Sequence, residues 1–328
     1  MNRLPAFIAA ISLFFSGCTN SAKPQDDPVK SALASPMSQL KYYDFDPGKP
    51  LAERIGPAPA FLRDAMASAD RAPDYESYTP TAEELAMLLG QIERLPAGMR
   101  AAFEERLIGI YFIKNFMGNG LTTWVVDEKN TMFAAMVINP AALSRSLSET
   151  LTLRERSLFS GGQDIRIDCG TKHRGLVYVL LHEGAHVFDY VRGITPYVEE
   201  VIVKAFREGR GLDASWDVWA GYSTPQEGAD FPYRKKLGFY GLDGAPVIKG
   251  SEAPALYAQL RGSPFPSLYG SRTWAEDAAE LAVFYHVTRI LKQPYVIEWP
   301  ENGARARYNP MESARVLERA EKVYSLLK

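Results

Sequence analysis

The clearest chemistry in the chain lies in the stretch Arg174–Gly193, RGLVYVLLHEGAHVFDYVRG. Only four histidines occur in the 328 residues, and two of them, His182 and His186, bracket Glu183 in the order H-E-x-x-H. At ~100° per residue, a helix sets the two imidazoles one turn apart on one face, with the carboxylate beside them. That spacing suits one zinc ion, and the glutamate then reaches a water on the metal. Leu176, Val177, Val179, Leu180 and Leu181 before the motif, with Val187 and Phe188 after it, predict a buried helix that Gly193 stops. A glutamate in such a run is costly to bury unless something compensates its charge, and a divalent cation does so.

A catalytic zinc needs a third protein ligand and an open fourth position. Asp189 lies on the histidine face, but its short side chain has to reach back along its own helix. Glu199 and Glu200 sit in a segment whose orientation the sequence leaves open. The distant stretch SRTWAEDAAELAVFYH offers Glu276 and Glu280, four apart on one side of a predicted helix. Two inward carboxylates there call for a cation or a histidine to meet them, and Ala275, Ala278 and Ala279 let a second helix come close. The extended pattern H-E-x-x-H-x-x-G-x-x-H is absent, because its last two positions hold Asp189 and Arg192.

An H-E-x-x-H helix followed by a second helix with E-D-x-A-E resembles the gluzincin metallopeptidases, and more narrowly the branch that includes anthrax lethal factor. The resemblance covers the two motif helices and a short lead-in. It implies an α+β, zincin-like domain in which a small mixed sheet packs on the H-E-x-x-H helix and a mainly helical part follows. It implies one Zn2+ per chain held by His182, His186 and Glu276. Glu183 would activate the zinc-bound water for peptide-bond hydrolysis, and Glu280 would support a histidine ligand. Tyr269, seven residues before Glu276, would stabilise the transition state. Ninety residues separate His186 from Glu276, longer than in compact members, so the intervening loops and the substrate they select belong to this chain. Two other readings stay open: a zinc hydrolase of a non-protein amide such as a cell-wall peptide, and an envelope lipoprotein whose zinc is structural.

The elements that position these residues begin at Thr81, where T-A-E-E forms a capping box with Glu84 ahead of Leu85, Leu88, Leu89 and Ile92. A second helix is expected over Ala97–Phe116. Leu121–Val126 and Met132–Ile138 read as strands of a hairpin, with the second as the sheet edge that takes up an extended substrate. Ala141–Leu158 is expected to be helical and Gln163–Cys169 a strand. Residues 194–270 form a loop-rich insertion, aromatic at Trp216, Trp219, Tyr222, Phe231, Tyr233, Phe239 and Tyr240, which walls the site or packs elsewhere. Helices over Thr273–Leu291 and Pro310–Leu327 complete the part from residue 271 to 328. Asp277 is expected to face solvent or pair between helices, and His173 and His286 to be structural or exposed.

At the N-terminus, Arg3, the apolar run Leu4–Phe15 and the small residues before Cys18 form a signal segment over residues 1–17, too short to span a bilayer. FSGC resembles a bacterial lipobox, which makes Cys18 the lipid attachment point of a protein at the outer membrane. Residues 18–80 hold nine of the chain's 22 prolines and read as an extended tether, with at most one short helix near Ala60–Ala69, ahead of a domain over 81–328. With Cys18 acylated, Cys169 has no partner for an intrachain disulfide and reads as a small core residue. A net charge of −2 gives no general pull toward nucleic acid, and 46% hydrophobic residues suffice for a sizeable core. The expected partner is a protein or peptide substrate, with membrane contact through the lipid alone.

Overall fold

The computed structural model describes residues 27–161, 163–206 and 216–328. The signal segment and Cys18 lie outside the described residues. The fold is mixed α and β, with a helical C-terminal part.

The one short helix expected near Ala60–Ala69 is present, but residues 27–80 otherwise depart from the tether expectation. They form α1 (Pro28–Ala34), β1 (Ile55–Pro57), α2 (Ala60–Asp70) and β2 (Glu76–Ser77), with short 3-10 turns between α1 and β1. Strand β1 pairs in parallel with β3 (Leu107–Lys114). Met37, Tyr43, Leu62, Met66 and Tyr75 are buried with Ile108, Ile113 and Val125 in a second core on that face of the sheet. The prolines do not prevent this, because they start turns and helices: Pro28, Pro36 and Pro59 each stand at a helix start or N-cap.

Helix α3 (Ala82–Ile92) has the expected cap: Glu84 N–H donates to Thr81 Oγ1 at 3.2 Å, and Thr81 N–H to Glu84 Oε2 at 2.8 Å. Helix α4 (Ala97–Arg106) stops ten residues early, and Leu107–Lys114 becomes β3 instead of more helix. LIGIYFIK is apolar on both faces because a core covers each, Ile110 and Phe112 lying in one and Ile108 and Ile113 in the other, and a strand buried on both sides loses its period-two signature. The sheet order is β1-β3-β5-β4, with β4 (Gly120–Val126) antiparallel to β5 (Met132–Ile138). The hairpin forms as expected, but β5 is interior and β4 is the edge strand. A buried apolar strand such as MFAAMVI belongs inside a sheet, whereas the threonines of GLTTWVV suit a rim.

The helix expected over 141–158 is broken into α5 (Ala141–Ser144) and α6 (Leu147–Arg156). Arg145 and Ser146 are extended, and the break is held by Gly175 N–H to Arg145 O and Leu147 N–H to His173 O, both 2.9 Å. After β6 (Phe159–Ser160) comes β7 (Arg166–Asp168), followed by the motif helix α7 (Gly175–Arg192). Cys169 is fully buried just beyond β7. Helix α7 lies under β4 and β5 and against α4 at such close range that two of its contacts leave no room for a Cβ unless a neighbouring side chain shifts. A Cβ on Gly184, inside the motif, would sit 2.5 Å from Met99 Sδ, and one on Gly120 would sit 2.7 Å from Val179 Cγ1.

The insertion contributes α8 (Glu200–Phe206), the small hairpin β8 (Trp219–Gly221) and β9 (Thr224–Pro225), β10 (Ile248–Lys249) and α9 (Ala253–Gly262). Helix α10 (Trp274–Tyr285) continues as a wider turn to Ile290; β11 (Val296–Glu301) pairs with both β7 and β12 (Ala304–Tyr308); and α11 (Ala314–Leu326) packs on α10. Among the described residues no helix is long and apolar enough to cross a membrane.

If residues 27–80 are part of the fold, truncating a fully buried side chain there destabilises the whole domain. Leu62→Ala is expected to cost about 2–5 kcal/mol, read as a lower urea midpoint at unchanged slope; a tether would show no shift.

Candidate metal centre

Helices α7 and α10 cross in contact, and all of α10 from Trp274 to Phe284 is buried. The crossing brings His182, His186 and Glu276 together so that one donor atom from each lies within 4.8 Å of the others. Glu276 Oε2 is 3.0 Å from His182 Nε2 and 3.8 Å from His186 Nε2, and the two imidazole rings stand nearly perpendicular with centroids 5.0 Å apart. That oxygen is buried, yet no donor reaches it in hydrogen-bond geometry. An orphaned carboxylate oxygen facing two ring nitrogens fits a cation between them, so this group could hold one metal ion.

The other ring nitrogen of His182 is fixed by Glu280. Its Nδ1 lies 3.1 Å from Glu280 Oε1, which leaves Nε2 to the metal side. Glu280 has no solvent exposure and is met from three other segments. Arg154 Nη1 on α6 and the Tyr178 hydroxyl on α7 each donate to Oε1 at 2.9 Å, and Ser267 Oγ, in the turn before α10, donates to Oε2 at 2.6 Å. Burial alone would raise this carboxyl, but the Arg154 guanidinium and His182 bring it down to about 2. Burial would likewise lower His182, and the carboxylates of Glu276 and Glu280 outweigh it and push the ring up to about 10 in the metal-free protein. Glu276 is held far below the usual carboxylate range, against its burial, by the same two histidines.

Glu183 lies in the same cleft, and Thr122 on β4 donates to its Oε2 at 2.9 Å. Burial raises this carboxyl; His182, His186 and Thr122 oppose the rise. Tyr269 borders the centre with its ring 5.6 Å from that of His182 and 5.0 Å from the Arg154 guanidinium. Burial, reinforced by the negative charge of Glu276, holds its hydroxyl protonated. The ligand candidates, the candidate base and Tyr269 thus meet at one cleft of about 420 Å3, floored by α7 and edged by β4, with Glu280 behind His182.

Several participants carry no local signal in the sequence. Thr122 and Arg154 are among them, although Arg154 stands on the apolar side of α6 with Leu147, Leu151 and Leu158, where a charge needs a partner. Tyr240 also lines the cleft, with Asn119 Nδ2 donating to its hydroxyl at 2.8 Å. Tyr222 lines it too, whereas Trp219 is a core residue bound through Nε1 to Asp277 at 2.8 Å. Asp277 is fully buried in an ion pair with Arg319, so its role is to join α10 to α11, not to face water. Asp189 is no ligand: it accepts from Ile194 N, Thr195 N and Thr195 Oγ1 and closes the end of α7. His286 pairs with the Tyr324 hydroxyl at 2.8 Å, away from the cleft, and His173 is half-buried in the turn before α7.

Compared with known proteins, the chain matches no protein-family model, no curated protein and no solved structure.

With His182 raised to about 10, both its nitrogens are protonated at pH 7 in the metal-free state, and a metal ion has to displace the proton on Nε2. Calorimetric zinc titrations in buffers of different ionisation enthalpy are expected to show release of about one proton per ion. Because the proton competes with the metal, apparent affinity rises with pH and falls toward acid. Zinc binding without proton release would mean that the ring starts neutral.

Proposed function

We propose that this chain is a zinc metallopeptidase of the gluzincin type, with a zincin-like domain. The observation that carries this reading is the buried Glu276 oxygen that faces both Nε2 atoms yet lies outside hydrogen-bond geometry, with Glu183 in the same cleft. A structural zinc site has no use for such a carboxylate.

Zinc held by His182, His186 and Glu276 would supply Lewis-acid polarisation of the substrate carbonyl and a water of lowered pKa, toward ~7. The chain's residues do the rest. Glu183, oriented by Thr122, takes the proton of the attacking water and returns it to the leaving amine. Its raised basicity suits that role, since a general base works best with a pKa near the working pH. Tyr269, kept protonated, donates to the oxyanion that develops on the carbonyl. Glu280 holds the Nδ1–H of His182 and makes the opposite nitrogen a better donor, while Arg154 keeps Glu280 charged. The edge position of β4 beside α7 supports an extended peptide bound by main-chain hydrogen bonds. The leader before Cys18 supports a place in the bacterial envelope, which radiolabelled palmitate and a Cys18→Ser variant would test.

Purified protein is expected to carry one zinc per chain, to cleave an unstructured protein substrate, and to lose that activity to a chelator and regain it with zinc. Glu183→Gln should retain metal and lose turnover. Glu276→Ala should lose metal; tight zinc binding by this variant would overturn the ligand assignment. Tyr269→Phe is expected to cost about 2.7–4 kcal/mol in barrier, seen in kcat more than in KM.

A further inference from the structure

Beyond the metal centre, toward α8, the cleft holds a carboxylate that the proposed chemistry does not use. Glu199 is about nine-tenths buried and lines the same cleft as His186 and Glu276. Its Oε1 accepts from the Tyr190 hydroxyl at 2.5 Å and its Oε2 from Trp124 Nε1 at 3.3 Å. Both donors are neutral. The other acids of this region have a cationic neighbour, a part in the reaction or, for Asp189, three donors that close the end of α7. Glu276 faces two imidazoles, and Glu183 is the base. Asp277, buried on the same helix as Glu276, has Arg319. No lysine or arginine among the described residues forms an ion pair with Glu199; the nearby Lys204 pairs with Glu200.

The surroundings are aromatic. Trp124, Tyr190 and Tyr222 border this end of the cleft together with Val198. Trp124 and Tyr190 turn their N–H and O–H edges to the carboxylate, and in so dry a setting its attraction for a cation is weakly screened. The far wall is made by Ala32 and Ser35 of the α1 region, and α1 packs on α8, so an extended chain lying along β4 meets a wall there. Burying a carboxylate that only neutral groups touch is expensive, and an incoming ammonium or guanidinium supplies the missing counter-charge.

We propose that Glu199, with Trp124, Tyr190 and Tyr222, forms a subsite for a positively charged group of the substrate. Two sources share that chemistry, a free N-terminal amine and the side chain of lysine or arginine. This rests on the peptidase reading for its substrate class, but its test does not depend on turnover.

The test measures binding to zinc-loaded full-length protein carrying Glu183→Gln, which holds peptides without cleaving them. One arm compares a peptide with a free N-terminus against its acetylated form. The other compares acetylated peptides that carry lysine or arginine with norleucine counterparts at each position in turn. In at least one arm the charged peptide is expected to bind about tenfold tighter or better, and adding Glu199→Gln should collapse that ratio toward one. The amide keeps the bulk and can still accept from Tyr190 or Trp124, and circular dichroism with zinc content verifies that the variant is folded. Equal binding in both arms, no binding in either, or a ratio that survives Glu199→Gln would overturn the subsite. Charge-selective binding by a protein whose parent hydrolyses no peptide would instead sink the peptidase reading and leave the subsite standing.

Discussion

A carboxylate with no solvent exposure is tolerated only when donors replace its lost water, and Glu280 obtains them from α6, α7 and the turn before α10. Breaking a buried ion pair by removing one partner commonly costs about 3–5 kcal/mol, so the Arg154–Glu280 contact constrains where all three segments can lie. The constraint is also chemical. The same oxygen that pairs with Arg154 orients His182, and His182 faces Glu276. Helix crossing, imidazole orientation and the convergence of three donor atoms are therefore one arrangement seen at three distances. The close packing at Gly184 and Gly120 serves it by pressing α7 against α4 and β4, which brings Thr122 onto Glu183.

Those parts of the site whose signal is local are legible in the sequence. The spacing of His182, Glu183 and His186 follows from helical periodicity alone, and Glu276 and Glu280 stand out because acids on an Ala-rich inward face need an explanation. Parts that depend on another segment are not legible. Arg154 makes sense only once α6 is placed beside α10. Thr122 is one of two adjacent threonines in a strand, and nothing local says which faces Glu183. Glu199 is visible as an acid, but its direction is set by Trp124 and Tyr190, one on β4 and one on α7.

The fold shows the same division. The hairpin of β4 and β5, α3 with its capping box and both motif helices follow from short-range patterns. Strand β3 reads as helix because a core covers each of its faces and erases the alternation. The choice of edge strand depends on sheet order, which no single strand encodes. Residues 27–80 mislead through composition: proline richness usually marks an extended segment, yet here the prolines sit at helix starts while Tyr43, Leu62 and Tyr75 anchor the stretch to the sheet.

That anchoring ties the cleft to the first folded segment. From Pro28 onward the chain is already seated, α1 against α8, and Ala32 and Ser35 of this segment line the cleft. A change that loosens residues 27–80 would therefore open the cleft as well as weaken the sheet, so the two effects would arrive together.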